Sequence, residues 1–394
     1  MINFEFYSPT KVIFGKDAEK GVGEEIKKLG ARKVLVHYGG SSAKKSGLLD
    51  RVFASLEAAD IDYVSLGGVK PNPRLSKVEE GIALAKAEGV DFLLAVGGGS
   101  AIDSAKAIAY ALANDVEDVW DYFCGKGAPK ACAPLGVILT IAASGSETSN
   151  SCVITKEEGM LKRSLNTDLA RPKFAIMNPE LTYTLPAYQT ACGAVDILMH
   201  TQERYFTNVR NVELTDRIAE GLMVTVLQNA PKLLENPEDY DARAELMWAG
   251  SLSHTGLTGT GRIGDFACHK IEHELGGLFD VAHGAGLAAI WGSWARFVYK
   301  HDIPRFAQFA VRVMGCQMNY EDPEKTAIEG IEKLEDFYRR MKMPTNLREL
   351  GLENVTDEQI REMAWKCTNG DTMKVGAFVP LTSAEIETIL KMAR

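Results

Sequence analysis

The sequence predicts a chain in two parts: an α/β half built on a parallel sheet, residues 1–180, and an all-α half, residues 181–394. Three observations carry this. Up to about residue 180, short β-branched runs that stop at glycine alternate with helix-length stretches, the pattern of strands covered on both faces by crossover helices. Beyond Asn178-Pro179 these runs give way to long stretches of 3.6-residue periodicity. The length of 394 residues suits two domains at roughly 100–200 residues each.

In order, KVLVHY (Lys33–Tyr38) reads as a strand ending at Gly39-Gly40, IDYVSLGG (Ile61–Gly68) as a second and DFLLAVGGGS (Asp91–Ser100) as a third. APLGVILTI (Ala133–Ile141) is a fourth, running out into the small residues AASGSETS. Leu75–Gly89 has apolar residues at helical spacing, and Ala101–Ala113 continues as a helix directly from the third strand. In the second half Leu185-Pro186 suits a helix start, because proline fits the first turn. Asp216–Leu234, Ala242–His254, Ile303–Met314 and Glu324–Met341 then read as helices.

Composition excludes several classes. Hydrophobic residues at 46% and charged residues at 25% place the chain far from intrinsic disorder. A net charge of −9 without a basic block argues against nucleic acid. No apolar segment approaches the roughly 18 residues that a bilayer requires. The start MINFEFYSPTKVIFG lacks the basic end and long apolar stretch of a secretory signal, so the expected location is cytoplasmic. Seven scattered cysteines without a CxxC are expected as mostly buried thiols.

The thirty-six glycines cluster, most densely at Gly97, Gly98 and Gly99 before Ser100. This run follows a strand and opens a helix carrying Asp103 and Lys106. Free N–H groups at a helix start attract anionic oxygens, and glycine lets a diphosphate approach closely. The run is neither GxGxxG nor GxxxxGK[ST], so a tight structural turn explains it as well as a phosphate site does. Gly39-Gly40-Ser41-Ser42 repeats the logic at another strand end. Asp103 suits either a ribose or nicotinamide contact or a charge in the first turns of its helix. Thr140, Ser144, Ser146 and Ser149 follow a further strand end, where a cofactor rim or a set of turn caps is expected.

Histidine is scarce, yet three of the seven fall within fifteen residues: His269, His273 and His283. His269 and His273 are four apart, which on a helix from about Asp265 to Leu275 puts both rings on one face. Asp196 and His200 repeat that spacing upstream. Together they offer imidazoles and a carboxylate for a divalent metal, with spacing alone leaving open which of them ligate. His37, His254 and His301 have no such partners in sequence. Nothing matches HExxH or GxSxG, so the chemistry expected is a cation polarising an oxygen beside a phosphate-rich cofactor. Trp248, Leu252, Leu257, Phe266, Phe279 and Trp291 lie near these segments, a few expected to line a pocket and most to fill helical core.

These motifs, in this order, resemble the iron-containing (group III) alcohol dehydrogenases, specifically the NADPH-dependent butanol dehydrogenase or aldehyde reductase branch. The resemblance runs nearly the full chain, through KVIFGKDA, PNPR at Pro71–Arg74, GGGSAIDSAK at Gly97–Lys106, LTIAASGSE at Leu139–Glu147, NPELTYTLP at Asn178–Pro186, and the spaced Asp196, His200, His269, His273 and His283. It implies a dinucleotide-binding α/β domain and a helical domain in the dehydroquinate-synthase-like fold, with the active site between them, and a homodimer. Asp196, His200, His269 and His283 would hold one divalent metal, Fe2+ or Zn2+, with His273 orienting substrate or relaying a proton. Gly97–Ser100 would hold the diphosphate. Gly39, Gly40, Ser41, Pro71, Asn72, Asp103, Thr140, Ser144, Ser149, Lys162, Thr182 and Leu185 would be further cofactor contacts. Where the family often has Gly-Thr-Gly-Ser-Glu, this chain has Ala143-Ser144-Gly145-Ser146-Glu147.

Cofactor choice can be argued physically. A carboxylate at the end of the first long strand would accept the 2′-hydroxyl of NAD and repel a 2′-phosphate. Here that place reads Tyr38-Gly39-Gly40-Ser41-Ser42, with Lys44 and Lys45 beyond, so NADP(H) is expected. The function expected is hydride transfer between NADP(H) and a primary alcohol or aldehyde. A glycerol-dehydrogenase-like polyol enzyme and a dehydroquinate-synthase-like cyclase or lyase are the competing readings. The first favours NAD, and the second needs a strongly basic pocket that the helical half does not show.

Overall fold

The computed structural model describes residues 1–394. Two compact units emerge from it, Tyr7–Thr184 and a second made of Leu185–Arg394 with Met1–Phe6. The first six residues, grouped above with the α/β half, therefore belong to the helical unit. There the N-terminal amine donates to the Arg210 carbonyl at 2.9 Å and the Ile2 N–H to that of Gly261 at 3.0 Å.

The α/β unit runs β1 (Lys11–Phe14), α1 (Val22–Lys28), β2 (Lys33–Tyr38), α2 (Ser42–Lys45), α3 (Leu48–Ala58) and β3 (Asp62–Leu66). It continues with α4 (Leu75–Glu88), β4 (Phe92–Gly97), α5 (Gly99–Ala113), α6 (Trp120–Phe123) and β5 (Leu135–Leu139). A hairpin of β6 (Ser151–Lys156) and β7 (Leu161–Asn166) precedes β8 (Phe174–Met177). Six strands form one parallel sheet in the order β1-β8-β5-β4-β2-β3. Every residue of β4 and β5 is buried, as central strands of a doubly covered sheet require. Leu35, Leu93 and Leu135 pack with Ile108 and Trp120 on one face, while Val34, Val36, Phe92, Leu94 and Ile138 pack with Val52 and Leu56 on the other.

Register positions the candidate residues. Tyr38 pairs with Val96, Gly97 with Leu139, and Ile138 with Ile176. The carboxyl ends of β2, β4, β5 and β8 thus lie along one edge, and with them Gly39-Gly40, Gly97–Ser100, Thr140 and Asn178. The chain leaves β2 toward β3 on one side and β4 toward β5 on the other. That reversal is the place where open α/β sheets bind ligands, and the two glycine runs flank it.

The helical unit contains α7 (Ala187–Tyr205), α8 (Glu213–Asn229), α9 (Lys232–Glu235), α10 (Tyr240–His254), α11 (Ala267–Phe279) and α12 (His283–Val298). α13 (Ile303–Arg312), α14 (Pro323–Arg340), α15 (Asp357–Cys367) and α16 (Ser383–Ala393) complete it. The helix expected over Asp216–Leu234 breaks before α9, where Pro231 lacks an N–H to continue the ladder. Proline also opens α14, and capping boxes start α15 and α16. α7 is central: every residue from Gly193 to Tyr205 is buried, and it packs against α8, α10 and α12. At its end Arg305 donates to the Tyr205 carbonyl, and Asp216 binds both Arg305 and Arg262 at 2.6 Å. No helix is long and apolar enough to cross a membrane. All seven cysteines are free thiols; four are buried and only Cys124 is exposed.

Candidate functional site

α7 places Asp196 and His200 one turn apart, both buried. α11 brings in His269, and His283 opens α12. Three ring nitrogens converge on one carboxylate oxygen. Asp196 Oδ1 lies 3.3 Å from His200 Nδ1, 3.6 Å from His269 Nε2 and 3.7 Å from His283 Nε2. Donors held at roughly 2.0–2.2 Å around a tetrahedral centre stand about 3.4 Å apart, so this spacing suits one cation with four ligands. Asp196 Oδ1, His200 Nδ1 and His269 Nε2 are buried without a hydrogen-bond partner, which is costly for polar atoms unless a cation takes their lone pairs. The residues fit the divalent metal. His273 stands apart from this convergence, buried beside His283 with ring centres 6.1 Å apart.

Carboxylates stand behind two of these rings, and the sequence reading missed both. His269 Nδ1 lies 3.3 Å from Glu203 Oε2 while the His269 backbone N–H donates to Glu203 Oε1 at 3.0 Å. The Glu272 carboxylate meets His283 Nδ1. Such partners fix the tautomer and aim of a ligating histidine. The available signal was spacing: Glu203 is two helical turns from Asp196, and Glu272 lies three residues after His269. His254, given no special role above, also sits here, its ring 4.0 Å from that of His200 and its Nδ1 3.4 Å from Arg204.

Charge follows this arrangement. Burial pushes His200 well below the ordinary histidine range, and the neighbouring His254 and His269 add to this. Burial acts the same way on His269, but Glu203 and Asp196 outweigh it and raise it to about 9. Asp265, whose oxygen accepts the N–H groups of Ala377 and Phe378 at 2.7 Å, is raised to about 7 by burial and the Glu203 charge.

The second cluster lies along the sheet edge of the α/β unit. Gly98 caps α5, accepting from Ala101 and Ile102, so the first amides of that helix lack an intrahelical acceptor. A Cβ on Gly98 would strike Ile141, and one on Gly99 would strike Ser144. These glycines therefore let the segment after β5 close onto the helix start, a packing reason beside the phosphate one. Around Gly40 there is open space. Ser41 is exposed. The Thr140 N–H donates to the Gly97 carbonyl at 3.0 Å.

Asn72, in the left-handed region at φ 53°, follows Pro71 in the connection from β3. The Thr155 N–H donates to the Pro73 carbonyl at 2.8 Å, and Thr155 pairs across the hairpin with Lys162. The connection that carries Pro71 and Asn72 is thereby joined to the hairpin that carries Lys162. Thr182 is buried and donates to the Pro179 carbonyl at 2.7 Å. Leu185 is the first residue of the main segment of the helical unit.

Asp103, partly buried, and Ser149 are bonded within the fold. Asp103 accepts from Ser146 Oγ at 2.5 Å and from the Val153 N–H at 3.0 Å. Ser149 is fully buried, its hydroxyl 3.5 Å from Lys106 Nζ. His37 is buried between strand and helix, bonded to the Leu66 carbonyl and Ser104, and His301 pairs with Asn208 on the surface. Trp291 is core, whereas Trp248 is exposed.

Comparison with known proteins places this geometry. Residues 9–179 match the family model described as iron-containing alcohol dehydrogenase, and residues 190–394 match the C-terminal model of the Fe-containing alcohol dehydrogenase family. The probable NADH-dependent butanol dehydrogenase 1 of Bacillus subtilis is 39% identical over 391 residues, 99% of each chain. The NADPH-dependent aldehyde reductase YqhD of Escherichia coli is 36% identical over 362 residues, 90% of each. The crystal structure of NADH-dependent butanol dehydrogenase A from Thermotoga maritima superposes with a TM-score of 0.95 at 38% identity, covering 100% of this chain and 99% of that one. With both family models matched and relatives of this identity along its whole length, the chain belongs to the iron-containing alcohol dehydrogenase family.

Proposed function

We propose that this protein is a metal-dependent alcohol dehydrogenase that transfers hydride between NADP(H) and primary alcohols or aldehydes, as a butanol dehydrogenase or broad aldehyde reductase. The observation that carries the reading is the convergence of three imidazole nitrogens on Asp196 Oδ1 at 3.3–3.7 Å. When bound, a divalent cation, Fe2+ or Zn2+, polarises the substrate oxygen, and the nicotinamide gives or takes the hydride.

The chain's residues divide the remaining work. Asp196, His200, His269 and His283 hold the cation, and Glu203 and Glu272 aim the rings of His269 and His283. His273, buried next to His283, orients substrate or passes a proton to and from its oxygen. The start of α5 and the glycines before it receive the diphosphate. At the end of β2 the open space around Gly40 and the hydroxyls of Ser41 and Ser42, without a carboxylate, support a 2′-phosphate. The relatives are named for NADH and for NADPH alike, and the preference for NADP(H) rests on the end of β2 in this chain.

The test is elemental analysis of anaerobically prepared protein, coupled to NADPH and NADH oxidation with butanal before and after chelation. We expect one metal per chain, activity lost on chelation and regained with Fe2+ or Zn2+, and NADPH preferred. Full activity of a metal-free preparation would refute the metal reading, and a preference for NADH the coenzyme reading.

A further inference from the structure

α5 carries two charged side chains toward a single segment. Lys106, fully buried two turns into the helix, donates from Nζ to the carbonyls of Ser146 at 2.8 Å, Ser149 at 3.0 Å and Ser151 at 2.8 Å. Ser146 Oγ at 3.0 Å and Ser149 Oγ at 3.5 Å complete its surroundings. An ammonium has three N–H bonds, and three carbonyls drawn from six consecutive residues match them. One turn earlier, Asp103 takes the Ser146 hydroxyl and the Val153 N–H. Both charges are thus spent on residues 146–153.

That segment reads SETSNSCV and has little apolar side chain with which to pack. Its path is set by hydrogen bonds. Because the peptide group is planar and trans, a carbonyl turned toward Nζ turns the next N–H away from it, so the amides of Glu147 and Asn150 face away from Lys106. The near end of the same loop, at Ser144, lies where a Cβ on Gly99 would collide with it. The shape of this segment and the shape of the glycine run therefore depend on each other. Burying an ammonium is costly unless it is fully hydrogen-bonded, and an apolar side chain would fill this space without that cost.

We propose that Lys106 is the positioning residue of the cofactor cradle, a fixed internal cation that holds residues 144–151 against the start of α5 in the shape that receives the dinucleotide. Asp103 shares this task through Ser146. The inference rests on the proposed function, in that it takes this sheet edge as the NADP(H) site.

The experiment compares wild type with Lys106→Met and Ser146→Ala. NADPH dissociation constants are measured by nicotinamide fluorescence, metal per chain by elemental analysis, and backbone mobility by hydrogen exchange, all below the melting temperature. For Lys106→Met we expect NADPH binding weakened at least tenfold, metal content unchanged, and protection lost within residues 141–151 while β4 and β5 keep theirs. Ser146→Ala, which deletes one hydroxyl, is expected to weaken binding about threefold to fivefold and carries the test should Lys106→Met not fold. Binding within twofold of wild type in the folded variants overturns the proposal, as does protection lost across the whole sheet, which would make Lys106 an ordinary structural residue. Wild type that binds neither NADPH nor NADH would instead refute the cofactor reading itself.

Discussion

The Glu272 carboxylate meets Nδ1 of His283, and the opposite nitrogen of that ring stands 3.7 Å from Asp196 Oδ1. The ring is held from behind by a side chain that is itself fully buried. Replacing Glu272 by Ala should lower metal affinity about 10–100-fold, the usual cost of removing such a partner. Competition with a chromophoric chelator reads this directly, and an affinity within twofold of wild type would dismiss the role.

His283 and His273 should separate in their effects. His283→Ala is expected to lose bound metal and turnover together. In His273→Ala turnover should fall by about 10²-fold or more, the scale of a lost proton-transfer group, with metal content near wild type. Metal per chain and kcat, measured on one preparation of each, distinguish the two. The reverse pattern would make His273 the ligand.

The end of β2 offers a test of coenzyme choice. Gly39 has room for a side chain, the nearest atom to an added Cβ being the Val69 carbonyl at 3.6 Å. Gly39→Asp should shift the kcat/KM ratio from NADPH toward NADH by at least about tenfold, or about 1.4 kcal/mol, by repelling the 2′-phosphate and accepting the 2′-hydroxyl. An unchanged ratio would show that the 2′ position is read elsewhere.

Acid should weaken the α/β unit through His37. Burial lowers its pKa from 6.5 to about 4, so between these values the unfolded chain binds the proton and the folded chain does not. Stability from this group is full above pH 6.5 and falls as pH drops toward 4, by about 3 kcal/mol in total. Asp265, raised to about 7, works in the opposite sense in the helical unit. Melting curves of wild type and His37→Gln across pH 4–7 should therefore differ in slope, with the variant losing less stability than wild type as pH falls from 7 to 4. Parallel slopes would refute the assignment.

Much of this was legible in the sequence because the relevant signals are local. Strand β2 matches the expected run, and β3, β4 and β5 fall inside theirs, because each is an apolar stretch closed by small residues. β1 and β8 went unread: KVIF and FAIM are four residues each, too short to show a period. The hairpin β6–β7 went unread as well: it mixes polar and apolar residues, and Cys152 and Ile154 join the core only once β6 packs on α5. At the metal centre the i,i+4 pairs were visible, since one helix generates each. Glu203 and His254 were not, because their contacts arise only when α11 and α10 pack on α7. The bonds of the Asp103 carboxylate to Ser146 and Val153 were not legible either, because spacing does not encode the direction of a side chain.

Helix α7 carries Asp196, His200 and Glu203 on one rigid rod and is buried on all sides from Gly193 to Tyr205. Each residue advances an α-helix by about 100°. Removing or inserting one residue between Asp196 and Glu203 would swing everything beyond it onto the wrong faces, and the anchored end at Tyr205 leaves no slack to absorb the turn. This stretch of chain is therefore a measured length, closed to any change in the number of its residues.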